Sequence, residues 1–302
     1  MWTALLCASL LAAPGDSGVL LVRVLDVSEA RIGGDAILIT DSVGGRARHI
    51  LIDASDNSAG VLTHLRRFRV DTLAAIILSH PHADHYGGMP GVIAQIPVRS
   101  FIYGGTPRTA QTYVALLHSI AAKHIAVVVA DTGVRTIRLI TNGDTVTLRI
   151  LAPPRSCHVL GGAAAGDAVN NCSLGVRLTR GTFAMLLPGD AQQKEVGWWM
   201  MTHPALLRAD VLKAGHHGSS NATSAELLDV VQPRAVIVSA NGRQHPFEQV
   251  LDLLAARDIP TYCTADRGTI TVRVMGTGAW HITAARAGEC HPRIEHTDGS
   301  PQ

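Results

Sequence analysis

Six consecutive residues concentrate the chemistry of this chain: His80, Pro81, His82, Ala83, Asp84 and His85. Three imidazoles and a carboxylate at His-x-His-x-Asp-His spacing make a dense set of metal ligands. Imidazole and carboxylate suit zinc and its neighbours in the first transition row. An apolar run, Leu73 to Leu78, ends just before the motif, and Pro81 and Gly87-Gly88 argue against one continuous helix through it. The expectation is a strand ending in a turn that holds these side chains at the edge of a sheet. The competing reading is a polar turn whose histidines only cap neighbouring elements.

Further pieces favour the first reading. His49 to Asp53 reads as a strand ending in an acid, although Asp53 by itself would pass for an ordinary turn or cap. Thr182 to Leu187 is a short apolar strand that runs into Pro188-Gly189-Asp190. Asp190 could also serve as N-cap for the helical stretch opening at Ala191 to Glu195. Asp210 to Ala214 leads into Gly215-His216-His217-Gly218-Ser219, and Val236 to Ala240 leads into Asn241-Gly242-Arg243-Gln244-His245-Pro246. Pro246 suits the first turn of a helix over Phe247 to Ala256.

In this order the motifs resemble those of the metallo-β-lactamase superfamily. Leu-Lys-x-Gly-His-His-Gly-Ser, Gly-Asp-Ala and Asn-x-x-x-His-Pro narrow the resemblance to the nuclease-like domain of ComEC-type competence proteins and their free-standing relatives, with the phosphorylcholine-esterase branch close by. The resemblance covers about Leu20 to Thr283. It implies an α/β fold, the αββα four-layer sandwich, and two divalent metal ions, Zn²⁺ first and Mn²⁺ as the other candidate. His80 and His82 would hold the first ion, Asp84 and His85 the second, and Asp190 would bridge them, since one carboxylate offsets the repulsion of cations about 3.5–4 Å apart that share a hydroxide. One of His216 and His217 would ligate the second ion and the other would bond the substrate oxyanion; the sequence does not choose. Asp84, His216 and His245 form the expected catalytic set, with His245 and one of the paired histidines placing or protonating the leaving group. Asp53, Ser79, Asn171 and Lys213 would support the ligands from behind.

The chain departs from that branch in places. Ser28-Glu29-Ala30-Arg31-Ile32 precedes Gly33-Gly34-Asp35-Ala36, where a glycine-rich turn is usual, and Arg243-Gln244 stands where an aromatic is often found. As is usual in that branch, the third histidine of β-lactamase-type first sites is replaced by Asn170-Asn171-Cys172-Ser173. Asparagine is a weak zinc ligand, so the first site should bind more loosely; His158 is a remote substitute. The other histidines (His49, His64, His118, His124, His203, His281, His291, His296) fall outside any ligand spacing. Strand alternation leaves Lys213 facing core or solvent, with a structural role favoured. Ser219 and Ser220 could contact a phosphate or cap the helix after Thr223-Ser224. Trp198-Trp199-Met200-Met201 reads as core packing before it reads as an exposed substrate or membrane patch.

The motifs spread from Asp53 to His245 in a 302-residue chain, which favours one domain with a shared site, over residues 19–290. Strand-like and helical runs alternate, with longer β-rich stretches at Val134–Leu151, Ser173–Leu187 and Thr269–Thr283, as two sheets faced by helices require. Residues 1–18 hold an apolar start with a small-residue exit, like a secretory signal, though no Lys or Arg precedes it and an N-terminal helix is the alternative. It is too short to span a bilayer. The expectation is a periplasmic or secreted protein, with a cytoplasmic one as the alternative. Removing Cys7 leaves Cys157, Cys172, Cys263 and Cys290, an even count that permits two disulfides, although neither pairing follows from sequence and separately buried thiols remain open. Residues 291–302 form a polar tail, expected to be disordered. A net charge of +2 and 4% aromatics show neither the basic stripe nor the stacking motif of a protein that grips long nucleic acid.

The expected function is therefore metal-dependent hydrolysis, with a small-molecule or nucleic-acid phosphodiester favoured as substrate and no transmembrane domain. Lactonase, thioesterase or β-lactamase activity is the enzymatic alternative. A secreted metal-binding recognition module without turnover is the non-enzymatic one. Oligomeric state is left open.

Overall fold

The computed structural model describes residues 18–31, 33–141, 144–159 and 166–292. The expected signal segment, nearly all of the polar tail, the Gly161–Ala165 stretch and the side chain of His158 lie outside the described residues. Among the described residues no helix is long and apolar enough to cross a membrane.

Among the described residues, fifteen strands form two sheets. In chain order, β1 (Val19–Val24), β2 (Ile37–Val43), β3 (Arg46–Ile52), β4 (Ala75–Ile77), β5 (Ser100–Tyr103) and β6 (Ala126–Val129) build the first. The second takes β7 (Val134–Thr141), β8 (Asp144–Leu151), β9 (Gly175–Arg180), β10 (Phe183–Leu187), β11 (Val211–Lys213), β12 (Ala235–Val238) and β13 (Thr261–Cys263). The chain then returns to the first sheet as β14 (Ile270–Met275) and β15 (Trp280–Ala284). The strand orders are 15-14-1-2-3-4-5-6 and 13-12-11-10-9-8-7. Within each sheet one half is antiparallel and the other parallel: β3 to β6 in the first, β10 to β13 in the second.

Three apolar layers explain the architecture. Along a strand, successive side chains point to opposite faces. Ile37, Ile39, Ile50, Ile52 and Ile77 therefore meet Leu178, Met185, Leu187, Val211 and Ile237 between the sheets. Leu38, Leu51 and Ile76 point outward, under Val61, Leu62 and Leu65 of the helix Ser58–Arg67 and Leu116 of the helix Gln111–Ala122. On the far side Leu186, Leu212 and Val236 lie under Trp199 of the helix Gln193–Thr202 and the helices Ala225–Val231 and Glu248–Ala255. The order is helix, sheet, sheet, helix. Burial on both faces is why the parallel strands read as unbroken apolar runs. Arg180 of β9 and Asp41 of β2 add a buried ion pair between the sheets at 3.6 Å.

Trp199 packs as core, its indole donating to the Ala152 carbonyl at 3.2 Å and its ring lying where a side chain at Gly175 would go. Trp198 is only half-buried and Met201 is 78% exposed, so the Trp-Trp-Met-Met run divides between core and surface. Ser224, not Ser219 or Ser220, caps the helix Ala225–Val231, accepting from Leu227 N at 3.3 Å. Asp190 caps nothing: the helix after it begins at Gln193 with Gln192 in the cap position, which leaves the Asp190 carboxylate free to face the neighbouring histidines. Two disulfides join Cys157 to Cys172 and Cys263 to Cys290.

Candidate metal centre

The parallel strands of both sheets end at one edge of the sandwich, where open α/β sheets gather their functional groups. β3 ends at Asp53, β4 at Ser79–His85, β10 at Asp190, β11 at His216–His217 and β12 just before Ser239. β2 runs antiparallel to β3, so Asp35, just before its start, arrives at the same edge.

Backbone conformation turns the side chains inward. His216 (φ 45°, ψ 54°) and His217 (φ 55°, ψ 21°) are consecutive left-handed residues. Such backbone is uncommon outside glycine and concentrates at functional sites. Gly34 (φ +86°) packs so closely on the Asp84 carbonyl that a Cβ would fall 1.6 Å from it. Only glycine lets this loop reach the metal-ligand turn, and it delivers Asp35 beneath the site.

Asp190 Oδ2 is the focus. His85 Nε2 and His217 Nε2 each lie 3.1 Å from it, and His80 Nε2 and His216 Nε2 each 3.9 Å. Asp84 Oδ2 is 3.7 Å from His85 Nε2 and 3.6 Å from His217 Nε2. One atom from each of Asp84, His85, Asp190 and His217 falls within 4.8 Å of the others. Beside them His80 Nε2 and His82 Nδ1 are 3.0 Å apart.

The outer bonds fix which nitrogens face inward. His85 Nδ1 donates to Asp53 Oδ2 at 2.8 Å, and His217 Nδ1 to the Ser239 carbonyl at 2.9 Å. Asp53 also accepts from the Ser79 amide (2.8 Å) and hydroxyl (2.7 Å). With its proton spent on Asp53, the Ser79 oxygen accepts from His80 Nδ1 at 3.1 Å. His85 and His217 thus turn Nε2 towards carboxylate oxygens, and His80 turns Nε2 to His82 and, at longer range, Asp190. In a buried site such pairs need positive charge between them, a proton on the imidazole or a metal ion. His217 Nε2 and Asp190 Oδ1 are buried without a hydrogen bond, which suits both atoms to ligating a cation. Asp84, His85, Asp190 and His217 fit a divalent ion, and His80 and His82 adjoin them on the Asp190 side.

Electrostatics point the same way. Burial alone would lower the His85 imidazole, but Asp190, Asp84 and Asp53 outweigh it and hold its pKa well above the ordinary value. Asp190 and Asp35 do the same for His217. Burial would raise Asp190, yet His217, His85 and His216 keep it well below the carboxylate range. Asp84 is likewise held at about 2, chiefly by His85 and His217 working against burial. Burial lowers His82 to about 4 and, with His217 and His216 nearby, His245 to about 3, so both are neutral ligands or acceptors at pH 7.

Lys213 is fully buried. Its ammonium pairs with Asp35 at very short range, donates to the Gly189 carbonyl at 3.3 Å and lies 3.7 Å from Asp190 Oδ1. Burial would lower its pKa, and Asp35 and Asp190 raise it instead. It serves as a fixed internal cation. Asp35, Asp53 and His85 also cluster within 4.8 Å, but the lysine already neutralises Asp35. Asp35 is the residue that sequence reasoning missed; its signal is an acid directly after Gly33-Gly34.

Asn171 does not touch the histidines directly: its amide bonds Asp167 O, Gln192 Oε1 and Glu195 N, and Gln192 in turn lies 3.4 Å from His216 Nδ1. The short helix Asp167–Asn170 brings Asn170 forward instead, with Nδ2 3.5 Å from His216 Nε2. His245 lies at the mouth, its ring centroid 5.4 Å from that of His216 and stacked on Phe247 at 4.7 Å. The two atypical loops brace one another: Arg243 donates to the Arg31 carbonyl (3.3 Å) and Asn241 to that of Ala30 (3.4 Å).

Two sheets with helices outside and a His/Asp cluster at their shared edge define a metallo-β-lactamase fold. The family model of the metallo-β-lactamase superfamily, in general hydrolytic metalloenzymes, matches residues 31–149 of the chain. It is 29% identical to ComE operon protein 3 of Bacillus subtilis over 68% of this chain and 25% of that protein. It is 27% identical to competence protein ComA of Neisseria gonorrhoeae over 79% of this chain and 31% of that one. It therefore spans about a quarter to a third of these relatives. Among solved structures, CmlA, a diiron β-hydroxylase from Streptomyces venezuelae, aligns with a TM-score of 0.52 at 11% identity, over 87% of this chain and 55% of that one, a likeness of fold alone.

Proposed function

We propose that the chain is a phosphodiesterase that works with two divalent cations, Zn²⁺ or, failing that, Mn²⁺. The observation that carries this reading is the replacement of a third first-site histidine by Asn170, in a cluster otherwise equipped for two cations. Similarity to ComE operon protein 3 and competence protein ComA supports a phosphodiester over a lactone, thioester or β-lactam. Cations held there would polarise the scissile group and make a bound water acidic enough to ionise near neutral pH.

The chain's own residues then divide the work. Asp190 reaches both ligand groups and sets their spacing. Asp53 and Ser79 lock His80 and His85 in the tautomer that presents Nε2, and Ser239 does so for His217. His217 is thereby the ligand of the histidine pair. His216, between Asn170 and His245, faces the substrate oxygen or completes the first site. His245, neutral and at the mouth, is placed to accept or relay a proton at the leaving group. Two disulfides support an oxidising, hence extracytoplasmic, setting.

A substrate panel tests this: bis(p-nitrophenyl) phosphate, an acyl-homoserine lactone, an acyl thioester and nitrocefin, each with the metal-loaded chain. The diester should turn over at least about 10-fold faster in kcat/KM than any other, a difference of roughly 1.4 kcal/mol in transition-state binding. Preference for the lactone or lactam would refute the assignment.

A further inference from the structure

A second concavity lies beside the metal centre and takes no part in the hydrolytic reading. It encloses about 500 Å³, within the roughly 300–1,000 Å³ of small-ligand sites. One wall is Pro154 and the Cys157–Cys172 disulfide; Ala168 and Asn171 form another. Trp198 and Lys194, one helical turn apart on Gln193–Thr202, close the third. Trp199 is spent on the core, whereas Trp198 is half-buried, presents its indole to this space and is held edge-on by His203 at 5.9 Å.

The cavity is wired to the candidate active site through Gln192, a side chain only 4% exposed. Its Nε2 donates to Asp167 Oδ1 at 2.6 Å and lies 3.4 Å from His216 Nδ1, while its Oε1 accepts from Asn171 at 3.0 Å. Gln192 thus separates the cavity wall from His216 by one side chain, in contact with both.

Resting on the phosphodiesterase reading, we propose that this cavity receives a planar aromatic group on one ester arm of the substrate, the chemistry of a nucleoside, stacked on Trp198 while the phosphate sits at the metal centre. The composition fits a flat ring. An indole offers a π-face for stacking, and disulfide sulfur packs favourably against aromatic edges. Lys194, exposed at the mouth, complements the charge of a neighbouring phosphate. A saturated chain would use neither feature.

The test is calorimetric titration of the Zn²⁺-loaded full chain with adenosine 5′-monophosphate and with ribose 5-phosphate, and of the chelated chain with adenosine. The nucleotide should bind about 10-fold tighter than the sugar phosphate, as base–indole stacking provides. Trp198→Ala should erase that difference and leave ribose 5-phosphate binding unchanged; Trp198→Phe should keep it. Adenosine should bind the chelated wild type and not its Trp198→Ala form. Equal affinity for the two phosphates in the wild type, or equal weakening of both by Trp198→Ala, overturns the proposal. Trp198-dependent adenosine binding with no diester turnover would retain this subsite and refute the phosphodiesterase reading alone.

Discussion

At the scale of single residues, the centre depends on partners that never touch an ion. Asp53 anchors His85 directly and His80 through Ser79. Asp53→Asn should therefore weaken Zn²⁺ affinity by about 10–100-fold, measured by competition with a chromophoric chelator; unchanged affinity would remove Asp53 from the metal centre. A second outcome follows from charge. In the metal-free chain His85 and His217 have raised pKa values, so their proton-held pairing stabilises fully below the unfolded imidazole value near 6.5 and is lost as pH rises through the raised values. A cation must displace those protons, so loading should release protons at pH 7 and strengthen as pH rises. Calorimetry in buffers of different ionisation enthalpy reads this directly, and the absence of proton release would contradict the protonation scheme. His-x-His-x-Asp-His and the acid after Gly189 were legible in sequence because ligand spacing is local. Asp35 was not, because its role comes from Gly34 touching Asp84 and from Lys213 reaching across from the other sheet. Nor did spacing choose between His216 and His217, or between Asn170 and Asn171. The Ser239 carbonyl, which turns His217 Nε2 towards Asp190, separates the first pair, and a four-residue helix that carries Asn170 to His216 separates the second.

At the scale of elements, strand ends and short turns hold the ligands, and covalent ties hold the turns. The Cys157–Cys172 bond fastens the segment Arg155–Val159 to the turn that presents Asn170, while Cys263–Cys290 fastens the chain beyond β15 to the end of β13. Removing either pair (Cys157→Ser with Cys172→Ser, or Cys263→Ser with Cys290→Ser) should cost about 2–4 kcal/mol of stability in denaturant melts. Only the first double variant should also weaken metal binding or turnover. Equal functional loss in both would show that the disulfides act on the fold as a whole. Helices and hairpins were readable from period and apolar runs: Glu248–Ala255 lies inside the expected Phe247 to Ala256, and the β-rich stretches resolve into the pairs β7–β8, β9–β10 and β14–β15. The parallel strands β4 and β11 are only three residues each, shorter than the apolar runs containing them. The run continues as inward-facing loop, which sequence does not separate from strand.

At the scale of the molecule, two half-parallel sheets packed face to face bring their strand ends to one edge, so a site can draw on residues from Asp35 to His245 without a domain boundary. The αββα arrangement was legible only through motif order; periodicity alone gives two sheets and helices but not their stacking, which long-range apolar matching sets. The chain covers about a quarter to a third of its competence-protein relatives. The activity proposed for it is metal-dependent phosphodiester cleavage at this edge. The most direct measurement is hydrolysis of bis(p-nitrophenyl) phosphate by the purified chain with Zn²⁺, with Mn²⁺ and after chelation, beside Asp84→Ala. Turnover that appears with metal, disappears on chelation and falls by at least about 100-fold in a folded Asp84→Ala variant, roughly 2.7 kcal/mol of transition-state stabilisation, is the predicted result. No turnover with metal demonstrably bound, or full turnover without Asp84, would contradict it.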